Sequence, residues 1–329
     1  MDYVILNSAV VTVDFTIALG LLAASKKPPC NNGGCQRQAH RPPMTFDHNE
    51  TLEQATARNV HDALMEDIGR GDWTAQLVPA GHRLRAQVVA KEAAVICGRP
   101  WFDACVRALD ATANAAWLVA EGDTIAAGAV VCRIDGDARA LLGAERPALN
   151  FLQTLSAVAS TTRRYVEAIA GVSPNPRGCA VLDTRKTLPG LRQAQKYAVR
   201  VGGGRNQRMA LWDGILIKEN HIAAAGGIAA VLQAARALNA GVNIQIEVEN
   251  LDEMQQALDG GATSVLIDDF SRDDMCRAVA LNAGRALLEV SGGVDLNVIR
   301  EIAATGVDRI SIGKLTKDVR AVDLSMRVV

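Results

Sequence analysis

The sequence predicts an α/β protein in two parts: an α+β first half, then a second half closed into a parallel β/α barrel. Three observations predict this. First, the second half alternates short β-branched runs with helical segments. The runs are "CAVLDT", "GILIK", "IQIEVEN", "SVLIDD", "ALLEVSG" and "RISIGK", and the last four are separated by "LDEMQQALDGGA", "RDDMCRAVALNAG" and "DLNVIREIAATG". Such repetition builds right-handed βαβ units and a parallel sheet. Second, neither nucleotide-binding loop is present. "VGGGRN" departs from GxGxxG and no GxxxxGK[ST] occurs, so six or seven such strands fit a closed barrel better than an open dinucleotide-binding sheet. Third, the strands of the first half are not spaced by helices in this way, which marks a different layer arrangement.

The composition sets the class. The chain has 329 residues, 49% hydrophobic and 22% charged, with a formal net charge of −1. That is a globular composition, long enough to bury a core without disulfides or a structural metal. Aromatics make up 4% and are not interleaved with basic residues, which argues against a nucleic-acid surface. The seven cysteines are scattered and none forms CxxC; they read as reduced thiols of a cytoplasmic protein.

The elements follow in order. Residues 1–43 read as an extension without a catalytic role. Val4–Ala24 is apolar but carries Asp14 in its middle and has no basic residue before it, which disfavours both a signal peptide and a membrane span. "KKPPCNNGGCQRQAHRPP" after it cannot form a core. Residues 44–157 form the first domain. "TLEQATARNVHDALMEDIG" is helical in spacing, Arg85–Gly98 reads as strands, Pro100–Leu109 as a short helix, and Ala115–Ile134 as strand and turn. Glu145–Ala170 is a long amphipathic helix joining the two parts. Residues 158–314 form the barrel, and residues 315–329 a terminal segment returning to the first domain.

The ends of the barrel strands point to chemistry. They carry Asp183, Arg185 and Lys186; Lys218; Glu247 and Glu249; Asp268 and Asp269; Glu289 and Ser291; Gly313 and Lys314. In a β/α barrel all these ends meet on one rim, where the site lies. Between Leu182 and Lys218 there are eight basic residues and two acids. Arg192, Lys196 and Arg200 stand four apart on one helix, which reads at least as well as a solvated stripe. Arg185, Lys186, Arg208 and Lys218 lie beside strands or glycines instead, and suit carboxylates and phosphates. The Gly293 and Gly313 turns offer backbone N–H groups to a phosphate. Glu247 and Asp268 suit ribose hydroxyls and a Mg²⁺ ion. The residues alone therefore predict a site for a sugar phosphate and a polyanionic acid.

"LDTRKTLPGLRQAQKYAV", "LIKENHI", "EVEN", "LIDD", "EVSGG" and "ISIGKLTK", with "MEDIGRGDWT" and "ERPALNFLQTLSAVAS" upstream, resemble quinolinate phosphoribosyltransferase over about Glu50 to Arg327. The resemblance implies an α+β sandwich domain followed by a seven-stranded β/α barrel of the type II phosphoribosyltransferase kind. It implies transfer of phosphoribosyl from phosphoribosyl pyrophosphate (PRPP) to quinolinate with decarboxylation, which gives nicotinate mononucleotide for NAD biosynthesis. It also implies Mg²⁺, and a homodimer or higher even oligomer with shared sites, without nucleic acid or membrane partners. By motif, Lys186, Glu247 and Asp268 are catalytic, with Glu247 and Asp268 at the metal. Arg146, Thr184, Arg185, Arg208, Lys218, Ser291, Gly292, Gly293, Gly313, Lys314 and Leu315 complete the substrate set, Arg146 reaching the partner's site. Two positions depart from the family pattern: Gln207 where His is usual, and Asp269 where Asn is usual. The alternatives are a same-fold relative from molybdenum-transport operons, a nicotinate-specific transferase, or a non-catalytic sugar-phosphate-binding barrel.

Overall fold

The computed structural model describes residues 49–329. The expected extension at residues 1–43 lies outside them. Glu50–Val329 forms one compact unit.

The first helix, α1 (Leu52–Asp67), starts where a reciprocal cap is available. The Thr51 hydroxyl accepts from Gln54 N at 3.2 Å, and the Gln54 side chain accepts from Thr51 N at 2.9 Å, so two orphan donors are satisfied at once. An antiparallel sheet follows. Its strands are β1 (Arg83–Ala90), β3 (Asn114–Trp117) and β5 (Val130–Asp137), and β12 (Leu324–Val328) joins it from the end of the chain. Their order is β12-β1-β5-β3. A small ladder pairs β2 (Ala94–Val95) with β4 (Thr124–Ile125), and α2 (Arg99–Leu109) buries Trp101 and Phe102 beside it.

The joining helix, α3, runs Ala138–Ile169. It begins earlier than the sequence pattern suggests. The Asp137 carboxylate caps Ala140 N at 3.0 Å, while Pro147, which looks like a first-turn proline, lies well inside. One face of α3 buries Leu141, Leu149, Leu152 and Leu155.

The parallel sheet has six strands in the order β6-β11-β10-β9-β8-β7. They are β6 (Ala180–Leu182), β7 (Gly214–Ile217), β8 (Asn243–Val248), β9 (Ser264–Asp268), β10 (Leu287–Ser291) and β11 (Arg309–Ser311). The six β-branched runs are these six strands. The seven full strands implied by the resemblance become six strands and one bridge, Leu182 to Arg205. Arg205 N donates to Val181 O at 2.8 Å, and Asp183 N donates to Arg205 O at 3.2 Å. On the other side the link to β7 is a side chain: Arg208 Nη1 donates to Gly214 O at 2.9 Å. The seventh position is thus held by one residue's ladder and one guanidinium.

Helices cover the sheet: α4 (Arg192–Val201), α5 (Glu219–Ala225), α6 (Ile228–Ala237), α7 (Leu251–Asp259), α8 (Arg272–Asn282), α9 (Ile299–Ala304) and α10 (Lys314–Lys317). The expected solvated stripe on α4 is corrected at its centre. Lys196 is fully buried and its ammonium is paired with the equally buried Asp183. Arg192 turns back to Thr187, and Arg200 to Asn206. α4 packs so closely on α3 that a Cβ on Gly202 would lie 2.5 Å from Ala159 O, and one on Gly204 would lie 2.8 Å from Thr162 Cγ2. Those glycines serve helix packing.

Candidate active site

Side chains two apart on a strand face the same way. Leu216 and Lys218, Leu266 and Asp268, and Glu289 and Ser291 are such pairs, each lining one cavity of about 310 Å³ at the carboxyl ends of the barrel strands. Register sets their depth. Glu247 pairs with Leu266, and Leu266 with Glu289, in one row; Asp268 pairs with Ser291 in the next. The loop after β6 adds Thr184, Arg185 and Lys186, and the segment before β7 adds Gln207 and Arg208.

The cations differ in their surroundings. Lys218 Nζ lies 2.8 Å from both Glu247 carboxylate oxygens. Arg208 is half-buried, and desolvation together with the neighbouring Arg185 lowers its guanidinium below the usual value. Arg185 and Lys186 are exposed, and among the described residues neither has a carboxylate partner. Lys186 is held through its backbone: its N–H donates to Thr184 Oγ1 at 3.0 Å, and its carbonyl accepts from Thr316 Oγ1 at 2.8 Å. Three cations without an acidic partner therefore face a carboxylate pair, Glu247 and Asp268, across one cavity. Like charges held together without counter-ions favour an anionic ligand.

The phosphate turns lie beside this wall. Gly292 and Gly293 both have positive φ, at +96° and +56°. A Cβ at Gly292 would lie 2.0 Å from Asp269 Oδ1, so the turn requires glycine. Ser291 Oγ donates to Asp268. Gly313 packs against Lys186, with 3.1 Å from an added Cβ to Lys186 Cδ. Lys314 is exposed and lines a separate cavity, and Leu315 is buried. Arg146 lies exposed on α3 and is absent from the cavity wall.

Below the rim is a polar layer of which the sequence reading marked Glu289 as a strand end and Gln207 as a departure, and missed Gln245 and Ser311. Glu289 is 1% exposed and Gln245 3% exposed. Gln245 Nε2 donates to Glu289 Oε2 at 2.9 Å, Gln207 Nε2 donates to Gln245 Oε1 at 2.7 Å, and Ser311 Oγ donates to Glu289. The alternation of "IQIEV" and "LLEVS" was the available signal: it puts Gln245 on the face of Glu247, and Glu289 on that of Ser291. Among the described residues no group of three or more His, Cys, Asp or Glu is placed to hold a metal. Two carboxylates facing a cavity suit a Mg²⁺ ion that takes most of its ligands from substrate phosphates and water.

Comparisons with known proteins agree with this geometry. Residues 158–327 match the model for the quinolinate phosphoribosyl transferase C-terminal domain, and residues 72–156 match that for the N-terminal domain. A probable nicotinate-nucleotide pyrophosphorylase [carboxylating] of Synechocystis is 40% identical over 270 residues, 81% of this chain and 90% of the relative. The Bacillus subtilis protein of the same description is 37% identical over 265 residues, 80% and 90% of the two chains. Among solved structures, nicotinate-nucleotide pyrophosphorylase from Francisella tularensis is similar with a TM-score of 0.80 and 41% identity, covering 85% of this chain and 97% of that one. The Ehrlichia chaffeensis enzyme has a TM-score of 0.78 and 32% identity, covering 88% and 100%. A rim of unpaired cations over a carboxylate pair, at the mouth of a barrel matched along its whole length, places this chain in the quinolinate phosphoribosyl transferase family.

Proposed function

We propose that the cavity transfers the phosphoribosyl group of PRPP to quinolinate, releasing pyrophosphate and CO₂ and leaving nicotinate mononucleotide. The observation that carries this reading is the set of cations, Arg185, Lys186 and Arg208, without acidic partners at one rim. Quinolinate brings two carboxylates and PRPP several phosphate charges. Arg185, Lys186, Arg208 and Lys218 hold those groups; the turns at Ser291–Gly293 and Gly313 receive the 5′-phosphate through backbone N–H groups, as late barrel loops do. Glu247 and Asp268 hold the ribose hydroxyls and would hold a Mg²⁺ ion, which would supply charge neutralisation for the departing pyrophosphate.

Charge placement then performs the reaction. The pyridine nitrogen attacks the ribose carbon as pyrophosphate leaves, and positive charge develops on the ring. Glu247 and Asp268 stabilise that charge. The positive ring nitrogen stabilises the electron pair left on the adjacent carbon when its carboxylate departs as CO₂, and that carbon then takes up a proton from water. The protein supplies position and a preorganised field more than a general base.

The same reading includes a partner protomer. Arg146 is exposed and has no hydrogen-bond or ion-pair partner among the described residues. Leu142, one turn before it, is 38% exposed; Trp73 and Leu77 are 78% and 84% exposed. An exposed cation one turn from an exposed leucine, in a half of the chain that also exposes Trp73 and Leu77, suits a face that a two-fold partner would cover. Cytoplasmic action belongs to this reading too, because polyanionic substrates do not cross a bilayer unaided.

The test is incubation with PRPP and Mg²⁺ and either quinolinate or nicotinate. Nicotinate mononucleotide should form from quinolinate with release of CO₂, and much more slowly from nicotinate. Equal turnover of both acids would assign the site to a monocarboxylate. Binding of PRPP without turnover of either acid would assign it to a non-catalytic barrel.

A further inference from the structure

Gln207 lines the active-site cavity, yet its hydrogen-bonding groups are already in use. Its backbone N–H donates to Asp183 Oδ1 at 2.9 Å, and its carbonyl accepts from Lys196 Nζ at 2.8 Å. Its side-chain Nε2 donates to Gln245 Oε1 at 2.7 Å and lies 3.5 Å from Glu289 Oε1. Its side-chain oxygen accepts from Arg208 N. No donor remains for a substrate. Gln207 and Arg208 also line a second cavity, of about 200 Å³, at the seam beside β7, where Gln245 and Arg309 face them. They form the partition between the two spaces.

The chain of bonds has a direction. An ionised carboxylate only accepts. Glu289 therefore draws the NH₂ of Gln245, at 2.9 Å. Gln245 must then present its oxygen to Gln207, which must present its NH₂ in return. The Gln207 oxygen is left to face the backbone N–H of Arg208. One buried carboxylate thus orients two amides in series, and the second amide fixes the backbone from which Arg208 is aimed.

We infer that Gln207 is a positioning residue for Arg208, oriented through Gln245 by the Glu289 carboxylate, and that it binds no substrate itself. The inference rests on Arg208 serving quinolinate. Arg208 has no backup here. The guanidinium bond to Gly214 O fixes its far end, so a rotated backbone at Arg208 tilts the whole side chain.

The test uses the full chain with quinolinate, PRPP and Mg²⁺. Gln245 does not line the active-site cavity, and its hydrogen-bonded route to Arg208 runs through Gln207. Gln245→Met and Gln207→Met should each raise KM for quinolinate roughly tenfold, with kcat and KM for PRPP changed much less, as loss of one buried bond implies. The double variant should be no worse than the poorer single one, because both break one chain. A wild-type KM in Gln245→Met beside a raised one in Gln207→Met would overturn the inference and make Gln207 a substrate ligand; so would additive effects.

The split between the quinolinate KM and the other two constants is the readout that packing alone does not move. A loss shared equally by kcat and both KM values would reduce the network to packing and overturn its orienting role. Failure of the substrate assignment itself would show in the unsubstituted protein, whereas failure of the positioning role would show only in the variants.

Discussion

At the scale of single residues, the basic stretch around α4 separates into two kinds of cation. Arg185 and Lys186 stand in the cavity without acidic partners, whereas Lys196 is fully buried against Asp183. Burial pushes the Asp183 carboxyl up and the Lys196 ammonium down, and each partner opposes the other's shift. Asp183 also accepts from Gln207 N and Asn206 Nδ2, so the pair pins the segment that carries Arg208. Lys196→Met leaves a buried carboxylate uncompensated, and global stability should fall by about 3–5 kcal/mol. Adding Asp183→Asn should recover part of that loss, because the amide oxygen still accepts from Gln207 N and no lone charge remains. Urea denaturation of the single and double variants measures both numbers. Helical spacing alone could not separate Lys196 from Arg192 and Arg200: all three lie on one face, and only the docking of α4 on the barrel decides which of them is covered.

At the scale of elements, α3 and α4 set the distance between the two parts of the fold. Gly202 has an ordinary helical φ of −69°, so its role is close approach rather than backbone freedom. Gly202→Ala would bring a methyl against Ala159 O at 2.5 Å and Thr162 Cβ at 2.7 Å. It should destabilise the protein by about 1–3 kcal/mol through overpacking. Gly171→Ala, where nothing lies within 4 Å but φ is +69°, should lose less, about 1 kcal/mol. Thermal unfolding of the two variants compares the two costs. The end of α2 is tied to the start of α3 through one carboxylate. Asp110 accepts from Thr112 Oγ1 at 2.6 Å, Thr112 N at 2.8 Å and Asp137 N at 2.8 Å. The Thr112 hydroxyl, then the two backbone N–H groups, lower its carboxyl to about 2. A depressed folded-state value stabilises the fold above the ordinary aspartate value near ~4. That contribution is lost as pH falls toward about 2. The unfolding midpoint of Asp110→Asn should therefore lie below wild type at pH 6, and the gap should close on acidification to pH 2.

At the scale of the whole molecule, the proposed dimer would bring Arg146 of one copy to the cavity of the other. Capping by a partner would exclude water and strengthen the charge interactions inside. Arg146→Ala and Lys186→Ala should each be nearly inactive. Mixed and allowed to exchange subunits, they should regain roughly a quarter of wild-type sites, since half of random dimers are mixed and each mixed dimer carries one intact site. Steady-state turnover before and after exchange, with exchange followed by a tag on one variant, measures this. No recovery despite exchange would mean that Arg146 serves its own chain or no site.

The sequence by itself determined what local pattern can carry. The β-branched runs marked the six parallel strands, and their polar ends named Lys186, Lys218, Glu247 and Asp268 as neighbours, because a barrel brings all strand ends to one rim. "EVSGG" and "ISIGKLTK" marked the two glycine turns at the rim, of which the first holds Gly292 and Gly293 at positive φ. What only the tertiary structure decided depends on closure and docking. Burial of Lys196 required α4 to cover Asp183, the residue that follows β6. The seventh barrel position is a single bridge at Arg205, and a guanidinium bond from Arg208 to Gly214 O links it to β7. The Gln207–Gln245–Glu289 chain joins residues 38 and 44 positions apart. A pattern read along one strand shows which face each amide takes, but not which partner waits across the barrel, since that distance is set by the curvature of the sheet and not by the chain.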